Sequence, residues 1–399
     1  MLNIKPVFSS LMRSKSGPIL LLMQIILSVA IVANASFIIH ERLTMMQRDS
    51  GIAEQEILAF TVYNFDPNID TKLQNKVDQQ ILRRLPNVVT ATSTNMLPLS
   101  GSGWSTTLNL GPDPETSKTT PQLAMYLGTE HTLETLGGKL VDGRNFYANE
   151  INDDVNGSNK LVIISKALAD EVWPSESAVG KTLWADRDEN VTVIGVVDKL
   201  QGAWVDSKDL EYSLIQNVDY TGHFYMVRAP SEHHKVLKEQ ILEALMKENP
   251  NRVIDDFQSI QEVKQSSYRD HELMVSVLSM MVILLLLITS LGLTGMVMFN
   301  IQRRTKQIGT RRALGATKVD ILSLFLTENY LICIAGGLLG ACLAVVLGQQ
   351  LMQHYDLPQL DLIYPLLTVV GMLLVTTVAV VLPARRAANI SPAMATRSV

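Results

Sequence analysis

The stretch NIQRRTKQIGTRRALGATKVD, residues 300–320, sets six Lys and Arg against a single acid, Asp320, between two long apolar runs. Four such runs, near residues 18–39, 273–299, 321–347 and 362–382, cut the chain into five polar segments. A helix needs about 20 apolar residues to cross a hydrocarbon core of about 30 Å, and each run supplies that length. Residues 1–17, 300–320 and 383–399 together hold 12 Lys and Arg and one acid, whereas the 348–361 loop holds no Lys or Arg. Cationic short flanks stay on the cytoplasmic side of a bilayer, so this bias predicts both termini and the 300–320 loop inside and residues 40–272 outside.

Overall the 399 residues are 47% hydrophobic and 18% charged with a mean hydropathy of +0.17. That modest average joins two unlike parts. Residues 41–272 carry 22 Lys and Arg against 35 Asp and Glu, a net charge of −13; the remainder carries 12 against 4, or +8. An acidic exterior attracts cations, but it is also an ordinary soluble surface. Cys333 and Cys342 both fall in the third apolar run, nine residues apart and therefore on opposite faces of a helix. The exported part has no cysteine, hence no disulfide framework or zinc spacing, and must hold itself together by its own core. Lys5, Arg13 and Lys15 before the first run, with Ala33-Asn34-Ala35 inside it, have the look of a signal peptide. The run exceeds a signal core of about 7–15 residues and is expected to stay as an anchor.

The first two membrane helices are expected to overshoot the bilayer as a stalk. No breaker follows Pro18 until Gly51, which gives some 33 residues or about 50 Å of helix. Ser259 and Glu262 have capping-box spacing, and a continuous helix from there to Phe299 would span about 60 Å. Between them, residues 55–63 and 88–96 read as strands around helical spacing at Leu73, Val77, Ile81 and Leu85. Residues 224–228 and 252–254 read as strands around a helix capped by Ser231, with Val236, Leu237, Ile241 and Leu245 inward. These two strand-helix-strand units predict a split ferredoxin-like α+β module. An inserted mixed α/β subdomain, about 121–210, has its own signals: a short helix between Thr129 and Gly137, a strand at 161–164, a helix capped by Ser165, and a hairpin of 181–184 with 191–197.

Chemical motifs are scarce. Gly180-Lys181-Thr182 ends like a phosphate-binding loop, but Ser175 stands where the first glycine is needed and a strand follows, so it reads as a turn. His233-His234 beside Glu232 reads as a solvated helix face, with no further ligand at zinc spacing. No nucleophile sits in a pattern such as G-x-S-x-G, and no enzyme is expected. In the 300–320 loop, Ile301, Ile308 and Leu314 recur among Arg303, Arg304, Lys306, Arg311 and Arg312, which predicts a short amphipathic helix at the membrane face. Glu328 is the lone acid of the membrane runs and is expected to pair with Arg311 or Arg312; Gly336 and Gly340 form a G-x-x-x-G face for close helix contact. So few membrane charges offer little to an ion or solute path.

The order of residues narrows this further. Gln307-Ile308-Gly309-Thr310-Arg311-Arg312-Ala313-Leu314-Gly315-Ala316-Thr317, then Phe325-Leu326-Thr327-Glu328 and Gly336-Gly337-Leu338-Leu339-Gly340, closely resembles the signature of MacB/FtsX-like ABC transporter permeases. Leu382-Pro383-Ala384-Arg385-Arg386-Ala387-Ala388 with Ser391-Pro392 resembles that family's C-terminal ending. Leu136-Gly137-Gly138-Lys139-Leu140-Val141-Asp142-Gly143-Arg144-Asn145-Phe146 and Val172-Trp173-Pro174 resemble its extracytoplasmic domain. Gln307 departs from the pattern, where an acid is common. The resemblance implies a permease dimer, homo- or heteromeric, bound to cytoplasmic ABC ATPase subunits that carry the ATP and Mg. It also implies a periplasmic adaptor and outer-membrane channel as further partners beside membrane lipids, with no nucleic acid and no cofactor on this chain. ATPase coupling would fall to Arg303, Arg304, Lys306, Ile308, Arg311, Arg312, Leu314, Gly315 and Ala316, and transmembrane packing to Glu328, Gly336, Gly337 and Gly340.

The expected organisation is a membrane protein of α+β class with four transmembrane helices. A cytoplasmic N-terminus, 1–17, precedes helix and stalk, 18–50, and a periplasmic domain, 51–258. Stalk and second helix, 259–299, lead to the coupling segment, 300–320. The third helix, 321–347, a short periplasmic loop, 348–361, the fourth helix, 362–382, and a cytoplasmic tail, 383–399, complete it. The function expected is that of a permease in a mechanically coupled exporter of peptides, drugs or lipid-linked molecules at the bacterial inner membrane. Alternatives are a lipoprotein-releasing permease or an FtsX-like regulator of a periplasmic hydrolase. The topology has a direct test: an impermeant thiol reagent on intact spheroplasts should label Ser207→Cys and spare Gly315→Cys until the membrane is opened, and the reverse pattern overturns the orientation.

Overall fold

A computed structural model describes residues 16–155, 157, 160–354 and 358–388. Lys5, Arg13, Lys15 and the Ser391-Pro392 ending lie outside the described residues. The chain divides into two compact units, Gln47–Asp270 and the remainder.

The membrane unit holds α1 (Ser16–Met46) and three more long apolar helices whose ranges follow the runs read from sequence. At 1.5 Å per residue, α1 is about 46 Å long and exceeds the hydrocarbon thickness. The expected unbroken helix from Ser259 to Phe299 is two helices, Ile260–Ser267 and Arg269–Arg303, parted at Tyr268. The reason is burial: Ile260 and Val263 of the first piece belong to the core of the globular unit, and Lys264 bonds Glu54 at 2.7 Å and the Arg48 carbonyl at 3.2 Å. Ser259 and Glu262 do form the capping box. The last helix, Ile363–Ala388, continues through Pro383 rather than stopping at Leu382.

The globular unit is built on two sheets. In chain order its elements are β1 (Ile57–Asn64), α2 (Thr71–Arg83), β2 (Thr90–Thr94), β3 (Ser105–Thr106), β4 (Leu123–Gly128), α3 (Thr132–Leu136), β5 (Leu140–Gly143), β6 (Leu161–Ser165), α4 (Lys166–Val172), β7 (Thr182–Asp186), β8 (Glu189–Val197), β9 (Ser213–Asn217), β10 (Phe224–Arg228), α5 (His234–Glu248) and β11 (Arg252–Ser259). The first sheet has the order β11-β1-β10-β2 with every pair antiparallel. With α2 and α5 that is the ferredoxin-like arrangement, split after β2. The second sheet has seven strands, β3-β4-β9-β6-β8-β5 with β7 on β8, and mixes parallel with antiparallel pairs. Its strands lie between Ser105 and Asn217, a wider insertion than 121–210. Ile57, Ala59 and Met226 of the first sheet share one core with Tyr126, Ile163, Val197 and Ile215 of the second.

Several local readings change. Ser231 opens a 3-10 turn, Ser231–His233, and α5 starts at His234 without a side-chain cap. Leu237, Ile241 and Leu245 point inward, but Val236 is exposed. His234 is not on a solvated face: its Nε2 lies 3.1 Å from the Ala229 carbonyl and 3.3 Å from that of Glu56. β11 runs to Ser259, well past Ile254, and a bulge opposite Ala59 and Thr61 puts Asp256 at φ 57°.

Helix α2 departs from expectation in part: Ile81 and Leu85 pack against the core as read, but its first turns do not. Leu73 is exposed, and the buried face is Gln74, Asn75, Asp78, Gln79 and Leu82. This polar face is completed from the sheet. Arg252 Nη1 meets Asp78 Oδ2 at 2.7 Å with both side chains fully buried, while Gln74 Nε2 donates to Asp78 Oδ1 at 2.8 Å. Asn75 Nδ2 donates to the Tyr225 hydroxyl at 2.9 Å, and Arg252 also donates to the carbonyls of Asn249 and Leu245. Burial pushes the Tyr225 phenol well above its ordinary pKa, so it stays protonated. Removing one partner of a buried ion pair strands the other charge, so Asp78→Ala should cost about 3–5 kcal/mol, whereas Asp78→Leu with Arg252→Met should recover most of it. All four tryptophans lie in this unit, so intrinsic fluorescence during denaturant unfolding reads the effect there.

Candidate functional site

The basic loop is a short helix held between two membrane helices. We label the Ile260–Ser267 helix α6 and the Arg269–Arg303 helix α7. Arg304 breaks the α7 register at φ −106° and ψ 13°, after which α8 (Thr305–Ala313) forms, then α9 (Lys318–His354) and, after the loop, α10 (Ile363–Ala388). Gly315 at φ 99° supplies the left-handed residue that turns the chain after α8, a conformation that costs a side-chain-bearing residue more. Thr317 and Asp320 then bond reciprocally, backbone to side chain in both directions at 2.8 and 3.2 Å, which satisfies donors at the start of α9.

Two contacts pin this segment to the membrane helices. Ile308 is 3% exposed and packs with Val297, Ile321, Phe325 and Val380, and with Ala384, Ala387 and Ala388 from the end of α10. The C-terminal motif thus lies against the loop's own apolar residue. The second contact is electrostatic: Arg304 Nη1 lies 3.0 Å from Glu328 Oε2, with the carboxylate side chain 4% exposed. The expected partners Arg311 and Arg312 do not reach it. Arg304, at the junction of α7 and α8, takes that place, and Arg312 instead donates to the Ala316 carbonyl at 3.1 Å.

What remains exposed is a cationic surface. Arg303, Lys306 and Arg311 are exposed, and Arg303 lies over the Phe299 ring at 5.4 Å. Leu314, read with Ile301 and Ile308 as the apolar side of an amphipathic helix and as a coupling residue, is 84% exposed, because the chain leaves the helix at Leu314 and turns at Gly315. An exposed leucine and three exposed cations on one short segment, anchored through Ile308, suit docking onto an acidic surface with an apolar recess.

The glycines of α9 face two different helices. A Cβ on Gly336 would meet Ile25 at 3.0 Å, and one on Gly340 would meet the Ile26 carbonyl and Val29 at 2.8 Å, both on α1. Gly337 faces Val369 of α10 at 3.1 Å. Ala344 and Gly348 continue the first face, where Asn34 Nδ2 donates to the Ala344 carbonyl at 3.1 Å. The structure therefore joins Arg304, Ile308 and Glu328 at one end and sets Gly336, Gly337 and Gly340 apart as packing positions. Sequence reading missed the polar ties of the bundle: Ser28 to Thr289 at 2.9 Å, Thr294 to the Ala379 carbonyl at 3.1 Å, and Tyr330 to Thr377 at 2.7 Å. Their only signal is a hydroxyl or amide inside an apolar run.

Against this geometry, the sequence model of the MacB-like periplasmic core domain matches residues 20–244, more than half of the chain, and that of the FtsX-like permease C-terminal region matches residues 279–392. The macrolide export ATP-binding/permease protein MacB of Neisseria meningitidis serogroup B is 25% identical over 330 residues, covering 79% of this chain and 48% of that protein. The ABC transporter permease YknZ of Bacillus subtilis is 27% identical over 210 residues, 51% of each chain. The chain spans about half the length of the curated relatives it matches. The crystal structure of the periplasmic region of MacB from Actinobacillus actinomycetemcomitans aligns with a TM-score of 0.35 at 18% identity, over 56% of this chain and 97% of that one.

If Arg304 and Glu328 act as one unit, Glu328→Gln and Arg304→Met should each lower the melting temperature of the detergent-purified protein, and the double variant should lose no more than either single. Strict additivity would mean that the pair contributes nothing jointly.

Proposed function

The chain belongs to the family of FtsX-like permeases that carry a MacB-like periplasmic core domain, and from this membership we propose that it is the permease subunit of a MacB-like ABC exporter. In this reading ATP is bound and hydrolysed, with Mg, by a separate cytoplasmic ATPase subunit. Two permeases pair, and the globular unit works in the periplasm, where it meets an adaptor and an outer-membrane channel. Both termini and the basic loop face the cytoplasm, as the charge bias predicts. The cargo is a peptide, a hydrophobic drug or a lipid-linked molecule taken from the periplasmic side.

The observation that carries this is the build of residues 303–320. A cationic, leucine-tipped surface is exposed, while Ile308 and the Arg304–Glu328 pair bind the same short helix to α7, α9 and α10. A push on that surface is delivered to membrane helices instead of being absorbed by a loose loop. From α7 the chain passes through Tyr268 and α6 straight into β11, so the route to the first sheet is short and covalent. Gln307 is exposed and leaves the docking surface without the acid common in relatives, so the surface is cationic throughout α8.

Charge reversal tests the docking step. Arg311→Glu with Arg312→Glu should lower the ATP-binding subunit captured from native membranes by at least about tenfold, by repelling an acidic partner, while membrane insertion persists. Capture at the wild-type level, read by mass spectrometry of the purified complex, would remove the proposal.

A further inference from the structure

The end of α10 carries two cations that the docking surface does not use. Arg385 and Arg386 are exposed, and among the described residues neither has an ion pair or a hydrogen bond. Asp320 and Glu328, the acids of α9, are engaged elsewhere, the first with Thr317 at 2.7 Å and the second with Arg304 at 3.0 Å. The depth of the arginines follows from the helix. The apolar run 362–382 is about 31 Å long and matches a hydrocarbon core of about 30 Å, so Arg385 and Arg386 stand about 5 Å beyond its edge, in the layer of lipid phosphates. Pro383 fixes them there: its missing N–H leaves the Ala379 carbonyl without a helical partner, and that carbonyl accepts from Thr294 of α7 at 3.1 Å.

Directly above the arginines the helix is apolar and uncovered. Leu367, Leu374, Val378 and Leu382 are exposed, and with Arg385 they fall within about 80° of one another around the helix, Arg386 lying about 40° beyond Leu382. Gly371 opens a gap in this face, since a Cβ there would meet nothing within 4 Å. The residues that α10 turns to other helices are of another kind: Thr376, Ala379, Ala384 and Ala387 are buried. A soluble acidic partner reaches the arginines but not the face inside the hydrocarbon. A second copy of the chain, meeting this face about a two-fold axis along the membrane normal, would set the same arginines against each other at equal depth, a like-charge contact. A molecule with a negative head and apolar chains satisfies both halves.

We propose that this face of α10 binds an anionic phospholipid, its phosphate at Arg385 and Arg386 and its acyl chains along Leu382, Val378 and Leu374. A free phosphate ester offers the same charge without the chains. The site goes beyond the exporter reading, and it is measured without nucleotide or a partner subunit, so the failure of either leaves the other standing.

The test titrates the delipidated full chain, in a detergent with an uncharged head, with dioleoylphosphatidylglycerol or dioleoylphosphatidylcholine and counts bound lipid by native mass spectrometry. The first phosphatidylglycerol should bind at least about tenfold more tightly than the first phosphatidylcholine, the size expected of two arginines at an anionic headgroup. Arg385→Gln with Arg386→Gln should abolish the preference, and Arg385→Lys with Arg386→Lys should keep most of it, because lysine still meets phosphate as a point charge. Arg386→Gln alone should lower it at least about threefold, and this variant decides the matter if the double glutamine variant does not insert. Lys235→Gln with Lys247→Gln removes the same charge from exposed positions of the globular unit and should change nothing. Glycerol phosphate in large excess should leave the lipid bound. Equal binding of the two lipids by the wild type, an undiminished preference in the glutamine variants, its loss in the Lys235 and Lys247 variant, or displacement by glycerol phosphate each overturns the proposal.

Discussion

Inside a hydrocarbon slab a backbone amide finds no water, and the organisation of this chain follows from that constraint. The four apolar stretches become helices because only a helix satisfies its own backbone there, and the two sheets are confined to the unit between the first two. With no hydrophobic drive to bring helices together in lipid, the bundle relies on close fit and on scattered polar ties. The fit is clearest where Gly336 and Gly340 bring α9 within 2.8–3.0 Å, measured from an added Cβ, of α1. The ties are Ser28 with Thr289, Asn34 with Ala344, and Thr294 with Ala379, each joining two helices through groups that would otherwise be stranded in lipid.

Charge is handled by the same logic at the end of the bundle. Glu328 is 3% exposed, and Arg304, whose own side chain is only partly buried, holds its Oε2 while Oε1 is buried without a hydrogen-bond partner. The pair fixes the point where α7 gives way to α8. Ile308, sunk among residues of α7, α9 and α10, fixes the other side, so the exposed cations sit on a segment with no slack. In the proposed role, this fixed attachment is what would carry displacement from a docked partner to α7, α9 and α10.

The globular unit solves a different problem with similar means. Its ferredoxin-like half buries an ion pair, Asp78 with Arg252, at 2.7 Å, surrounded by Gln74, Asn75 and Tyr225. A polar core of this kind stabilises less than packed aliphatics, but it tolerates only the register in which every partner meets. It ties α2, β10 and the start of β11 together, and β11 is the strand that leads to α6 and α7.

Much of this was legible in the residues. Hydrophobic run length set the four membrane helices, capping chemistry set the starts at Ser165 and Ser259, and alternation set most strands, because each of these is decided by neighbours in the chain. The family was legible too, through residues 307–317 and their companions. What only the tertiary structure decided was partnership. Nothing local says that α2 would turn Gln74 and Asp78 inward in place of Leu73, since the compensating Arg252 lies far along the chain. Nothing local chose Arg304 over Arg311 for Glu328, or bared Leu314 while burying Ile308. Spacing fixes which residues share a face; which face is buried depends on what the rest of the fold brings to meet it.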